Sequence, residues 1–268
     1  MDTGFKSYQT LSPAVKAQID QVTEIWSAQL RDSLIGVYLH GSIALRCFAE
    51  GNSDIDVLIV SGRRIKRDER LTIAREIMEI DGQPSRLEMS AIFRDALVPW
   101  QYPTPCQFHY SDFWTDRYRK MLSGEIKGSP IIDEDFPDPD IACHVRLTLQ
   151  SGICIYGKPI KDVFPPVPEQ DFWQSISGGI DAYDFHAYEP RYYASNILTL
   201  GRILSYKKEK RILSKYDGGI WTLNYVPERF RYIIADALNV WYVGAPGIAY
   251  KQEDIRDLRQ FLLDEINR

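Results

Sequence analysis

Two aspartates separated by one residue, Asp54 and Asp56, stand at the entrance of the apolar run DVLIV, and the pair Gly41-Ser42 closes the apolar run before it. On a strand, residues i and i+2 share a face, so the two carboxylates would lie roughly 7 Å apart along the chain. Carboxylates so placed repel one another unless a cation sits between them. Magnesium suits the pair, because it takes oxygen ligands and is usually held by one or two carboxylates together with substrate phosphates. The Gly-Ser pair serves the same chemistry: glycine lets backbone approach a phosphate closely, and N–H groups at a helix start donate to it. The Ser42 hydroxyl adds a donor. A third carboxylate, Glu88, lies in SRLEMSAIF, where Leu87, Met89 and Ala91 point one way and Glu88 and Ser90 the other. It could complete a metal site or act as a base.

The elements that must position these groups are legible on either side. Ser12 caps a helix over 12–31, with Pro13 at its first position and Val15, Ile19, Val22 and Trp26 at helical spacing. LIGVYLH (34–40) and DVLIVS (56–61) read as strands bracketing the Gly-Ser segment. A charged helix follows over 67–80, with Leu71, Ala74 and Met78 on one face, and stops at Asp81-Gly82. From Asp140 onward the texture is helical: 140–150, 193–206, 228–240 and 253–266 carry amphipathic spacing, the last three as an antiparallel bundle. The proline-dense VFPPVPEQD separates the two textures. The expected architecture is an α+β domain over 1–157, a mixed sheet with flanking helices, followed by an all-α helical-bundle domain over 158–268.

Composition bounds the partners. At 268 residues with a formal charge of −5, the chain is poorly suited to a broad nucleic-acid surface and better suited to a cationic small molecule. MDTGFKSYQTLSP lacks the apolar core of a signal peptide, and no stretch approaches the length needed to span a bilayer, so the expected setting is the cytoplasm, without membrane or nucleic acid, as a monomer. Cys47, Cys106, Cys143 and Cys154 form no C-x-x-C pair and read as buried small hydrophobes. No G-x-x-x-x-G-K-[ST] or G-x-G-x-x-G occurs, which removes P-loop and dinucleotide-binding chemistry.

In the order strand, Gly-Ser, Asp-x-Asp, strand, helix, strand with glutamate, the chain resembles the nucleotidyltransferase superfamily that includes DNA polymerase β. LHGSIA, SDIDVLIV, RLEMSAI, VPWQYP, YGKP and VPEQD resemble more narrowly the aminoglycoside adenylyltransferases acting on streptomycin and spectinomycin. The resemblance implies transfer of AMP from ATP to an antibiotic hydroxyl, with release of pyrophosphate and with two magnesium ions, between the two domains. It assigns Asp54 and Asp56 as metal ligands, Glu88 as metal ligand and proton acceptor, and Gly41, Ser42 and Ser53 as phosphate-side residues. Aligning LTLGRILSYKKEKRILSK places Arg202 and Lys215 on two nucleotide-binding cations. Phe113, Tyr188 and Tyr192 fall at the acceptor positions, with Trp114 one place from the first. Streptomycin-modifying members present a tryptophan and carboxylates there, so spectinomycin is the expected drug ahead of streptomycin. Glu189, Asp181 and Asp184 are further anionic candidates for a cationic acceptor. Among the remaining residues, Trp100 and Tyr102 fix a rigid turn, His40 ends a strand, and Asp140 either caps a helix or approaches the cleft. The alternatives are the same chemistry on another small metabolite or a protein, or a nucleotide-binding regulatory module without catalysis.

Overall fold

The computed structural model describes residues 5–185 and 189–268. Six strands form one mixed sheet: β1 (Leu34–Leu39), β2 (Ile55–Ser61), β3 (Leu87–Phe93), β4 (Thr104–Tyr110), β5 (Phe136–Asp138) and β6 (Ile153–Gly157), in the order β5-β4-β3-β2-β1-β6. All neighbours are antiparallel except β2 and β3. Between that parallel pair runs α3 (Arg67–Ile80), as a parallel connection requires.

The sheet is two-sided. Val37, Leu39, Val57, Ile59, Leu87, Met89, Ala91, Phe108 and Tyr110 are buried in one core with Val15, Ile19, Val22 and Trp26 of α1 (Pro13–Leu30) and Ile73, Ala74 and Ile77 of α3. Ser12 caps α1 by accepting a hydrogen bond from the Val15 N–H. Strand alternation puts Asp56, Glu88, Ser90 and His109 on the opposite face. There lie the short helix α2 (Gly41–Ala44) and, after α4 (Thr115–Leu122) and α5 (Pro130–Asp133), helix α6 (Ile141–Ser151), which packs on α2 and β4.

Contacts divide the chain into Met1–Ser175 and Ile176–Arg268, so Gly157, where the sequence puts the boundary, lies inside the first unit. The reason is physical: the chain after β6 folds back onto the sheet. Tyr38 donates to the Lys158 carbonyl, the Phe164 ring meets Tyr38 edge-on at 4.9 Å, and Arg146 holds the Val167 carbonyl. Short α7 (Ile160–Val163) and α8 (Glu169–Ser177) follow, and Trp100 donates to Asp171 at 2.8 Å. Trp100 thus has a specific partner in VPEQD beyond the expected rigid turn. Cysteine placement also departs from expectation: Cys47 and Cys106 are buried, whereas Cys154, on the edge strand β6, is exposed.

The second unit is helical: α9 (Pro190–Glu209), α10 (Lys215–Tyr225), α11 (Arg231–Val243) and α12 (Gln252–Asn267). The pair Gly218-Gly219 weakens α10 as a helix, yet packing explains it. A Cβ on Gly219 would come within 2.7 Å of Leu238 and 2.8 Å of Leu198, and one on Gly218 within 3.0 Å of the Arg202 Cβ. Smallness at these positions lets α9, α10 and α11 pack closely.

Candidate active site

The parallel register pairs Asp56 directly with Glu88. Adjacent strands lie about 4.8 Å apart, so their two carboxylates project side by side from one face. Asp54 immediately precedes β2 rather than lying within it, and Arg86 fixes it. The Arg86 Nε donates to Asp54 Oδ1 at 2.9 Å, while a terminal guanidinium nitrogen reaches Asp112 Oδ2 at 3.2 Å. Arg86 opens the segment RLEMSAI, but the sequence reading gives it no role; its pairing with Asp54 emerges only in the structure. Asp112 opens the 3-10 turn Asp112–Trp114, so one guanidinium joins this turn to the acidic pair.

The Gly-Ser pair meets the acids from the other side. Gly41 starts α2 with φ +57°, and a Cβ there would sit 1.8 Å from Asp56 Oδ2. Only glycine lets the helix start approach this carboxylate so closely. The Ser42 N–H lies 3.4 Å from the same oxygen. The Ser42 Oγ is buried with no hydrogen-bond partner, and so are His40 Nδ1 and His144 Nδ1. These two histidine rings stack at 4.7 Å. These three polar atoms near the start of α2 are buried groups that a polar ligand could satisfy.

Ser53 is buried, and its oxygen accepts from the Ala49 N–H at 3.1 Å. That bond organises the turn before β2 and leaves the hydroxyl proton for another acceptor. Asp140 precedes α6 but makes no side-chain capping bond. His109, on β4, bonds Ser90 through Nδ1 at 3.0 Å. Burial lowers its pKa against the opposing pull of nearby Glu88.

His40 is pushed well below the usual histidine range, first by burial and then by His144. The unfolded chain takes up protons below about pH 6.5, where the buried ring stays neutral, so falling pH favours unfolding. We expect stability in denaturant titrations to drop between pH 7.5 and 5.5 by up to about 1.4 kcal/mol per pH unit from this ring, and His40→Gln to flatten the slope. An unchanged slope would contradict neutral burial.

Asp54, Asp56 and Glu88 are an all-oxygen donor set, which suits magnesium. Among the described residues no group of three or more His, Cys, Asp or Glu side chains is gathered closely enough to hold an ion alone. Two carboxylates side by side, with substrate oxygens completing the shell, is the usual form of a magnesium-phosphate site, and the donors present fit it.

The other expected residues fall in three places. Phe113 is 79% exposed, while Trp114 packs against the core, so Phe113 offers the free aromatic face of that turn. In the second unit, Tyr192 is exposed, Arg202 lies against Gly218, and Lys215 donates to Ser195 Oγ at 2.9 Å. Tyr188 lies outside the described residues.

Sheet order, Gly-Ser helix start and paired carboxylates are the arrangement by which the sequence resembles the nucleotidyltransferases. Residues 162–265 match the family described as "Aminoglycoside adenylyltransferase, C-terminal domain". The chain is similar to Spectinomycin 9-adenylyltransferase of Campylobacter jejuni, 25% identical over 231 residues, covering 82% of this chain and 83% of that one. The Staphylococcus aureus protein of the same name is 27% identical over 218 residues, with 79% of each chain covered. In fold it matches the crystal structure of spectinomycin adenyltransferase AAD(9) from Enterococcus faecalis with ATP and spectinomycin, at TM-score 0.80 and 21% identity, covering 94% of this chain and 99% of that one. The chain is thus similar to the aminoglycoside adenylyltransferases along most of its length.

Proposed function

We propose that this chain adenylylates spectinomycin, using ATP and releasing pyrophosphate, and so confers resistance to that drug. The observation that carries the reading is the Asp56–Glu88 register beside Gly41-Ser42. A hydroxyl oxygen of the drug forms a bond to the α-phosphorus, the bond from that phosphorus to pyrophosphate breaks, and the hydroxyl proton passes to Glu88. Asp54, Asp56 and Glu88 would hold magnesium, two ions in this reading, which when bound would neutralise triphosphate charge and acidify the acceptor hydroxyl. Ser42 and the first N–H groups of α2 hold phosphate oxygens, with Gly41 permitting the approach and Ser53 shaping the preceding turn. Arg202 and Lys215 bind the nucleotide, Arg as a fork and Lys as a point charge.

On the acceptor side we place Phe113, with Trp114 as its support, and Tyr192 and Tyr188. Aromatic faces attract a protonated amine by about 0.5–2 kcal/mol, so a drug with cationic amines needs no carboxylate there. We place the enzyme in the cytoplasm as a monomer, where drug and ATP meet. No described helix is long and apolar enough to cross a membrane.

The test is pyrophosphate release from ATP and magnesium with spectinomycin, with streptomycin, and with no drug. Release with spectinomycin, and little or none with the other two, is expected. Turnover without any drug would point to a different acceptor, and no turnover with either drug would remove the antibiotic reading.

A further inference from the structure

Arg86 has no part in the reaction as described so far, yet its bonds reach two halves of it. The chain pins this residue on both sides. The Ile55 N–H donates to the Arg86 carbonyl at 2.8 Å, and the next amide, that of Leu87, donates to Asp81 Oδ1 at 2.8 Å. The parallel pairing of Ile55 with Leu87 sets Arg86 across from Asp54. From that base the guanidinium gives two nitrogens to two carboxylates, Nε to Asp54 at 2.9 Å and Nη1 to Asp112 at 3.2 Å.

Those carboxylates stand in different parts of the site. Asp54 is one of the acids that would hold magnesium, whereas Asp112 opens the Asp112–Trp114 turn. Trp114 packs against the core at one end of this turn, and Arg86 holds the Asp112 side chain at the other. Phe113 lies between the two anchors with its ring exposed. A planar guanidinium presents its N–H groups in fixed directions and can orient both carboxylates at once, which the point charge of a lysine cannot. Its charge also offsets part of the repulsion among Asp54, Asp56 and Glu88.

We propose that Arg86 is a positioning residue for the transfer: it aims the Asp54 carboxylate and, through Asp112, sets the turn that presents Phe113. One side chain thereby aligns the acid side with the acceptor side. This role rests on the metal reading of Asp54 and the acceptor reading of Phe113 given above. The two arms differ in weight. Arg86 and Asp54 are each about one-third exposed and Asp112 about half, so solvent screens the Asp112 arm more. Losing the Asp54 arm misplaces an acid of the reacting centre, while losing the Asp112 arm shifts only the drug's platform.

Steady-state kinetics with spectinomycin test this, together with amide hydrogen exchange of the full chain without metal, nucleotide or drug. Arg86→Gln should lower kcat about 10²-fold, the cost of a displacement of about 1 Å at a reacting centre. It should also raise KM for spectinomycin up to about fivefold, the range of an exposed ion pair. Arg86→Lys should restore most of kcat, since an ammonium still reaches Asp54, and leave KM raised. Asp112→Asn should raise KM by the same factor while lowering kcat far less than Arg86→Gln does. Combining Asp112→Asn with Arg86→Gln should raise KM no further. Exchange at 112–114 should quicken equally in Arg86→Gln and Asp112→Asn, which reads the bond whatever the acceptor is. If Arg86→Gln fails to fold, Arg86→Lys and Asp112→Asn still decide. Wild-type kinetics and exchange in Arg86→Gln, equal loss of kcat in the Gln and Lys variants, or KM effects that multiply in the double variant would overturn the proposal. Turnover of another acceptor but not spectinomycin would remove the drug reading, and the same split between KM and kcat for that acceptor would then decide the role of Arg86.

Discussion

Glu88→Gln should lower kcat for pyrophosphate release by roughly 10²–10⁴-fold, the usual contribution of a positioned general base, while the protein folds normally and still binds ATP. The amide keeps the shape and one oxygen but cannot take a proton. Glu88 sits mid-sheet, half-buried, next to Asp56 in register, so the substitution leaves β3 and its pairing intact. Two measurements separate the roles open to this residue. If Glu88 takes the proton, excess magnesium will not restore the rate and the acidic limb of the pH–rate profile will change. If it serves only as a ligand, raising magnesium will recover much of the loss. Near wild-type turnover would remove Glu88 from the chemistry altogether.

Gly41→Ala carries the second large effect, and for a different reason. Its Cβ would lie 1.8 Å from Asp56 Oδ2, and the alanine would occupy φ +57°, a region L-residues enter at a cost of order 1–2 kcal/mol. The carboxylate cannot give way without leaving its place beside Glu88, so either the acid or the helix start must shift. A displacement of about 1 Å at a reacting centre can cost 10²-fold in rate, and a loss at least that large is expected in kcat/KM. Gly124→Ala is the control: it has φ +80°, but nothing stands within 4 Å of the added carbon. It should show a similar backbone cost in thermal denaturation with turnover preserved. Equal losses of activity in the two variants would mean that strain rather than the collision with Asp56 is responsible.

Much of the first unit was legible because its signals are local. Ser12 and Pro13 mark the start of α1 and the Asp81-Gly82 turn marks the end of α3, while the alternation of Leu87, Met89 and Ala91 with Glu88 and Ser90 separates the two faces of β3. Strand β4 was hidden by Pro105, which argues against a strand interior. The structure seats it opposite Pro137 of the three-residue edge strand β5. Helix α10 was obscured by Gly218-Gly219, whose value lies in neighbours that no local rule supplies.

The candidate site divides in the same way. Gly41, Ser42, Asp54, Asp56 and Glu88 could be chosen from type and spacing, since one short connection and one strand pairing bring them together. Arg86, His109 and His144 could not, because each gains its meaning only from a partner distant in sequence.

The hydrogen bond from Trp100 to Asp171 bears on how this protein can be recombined. VPWQYP and VPEQD look like separate signatures in the sequence, yet they are the two halves of one joint. A chimera that exchanges either segment alone would leave an indole N–H or a carboxylate without its mate. A crossover that carries 98–171 as one block keeps the joint, and the strands between travel with it.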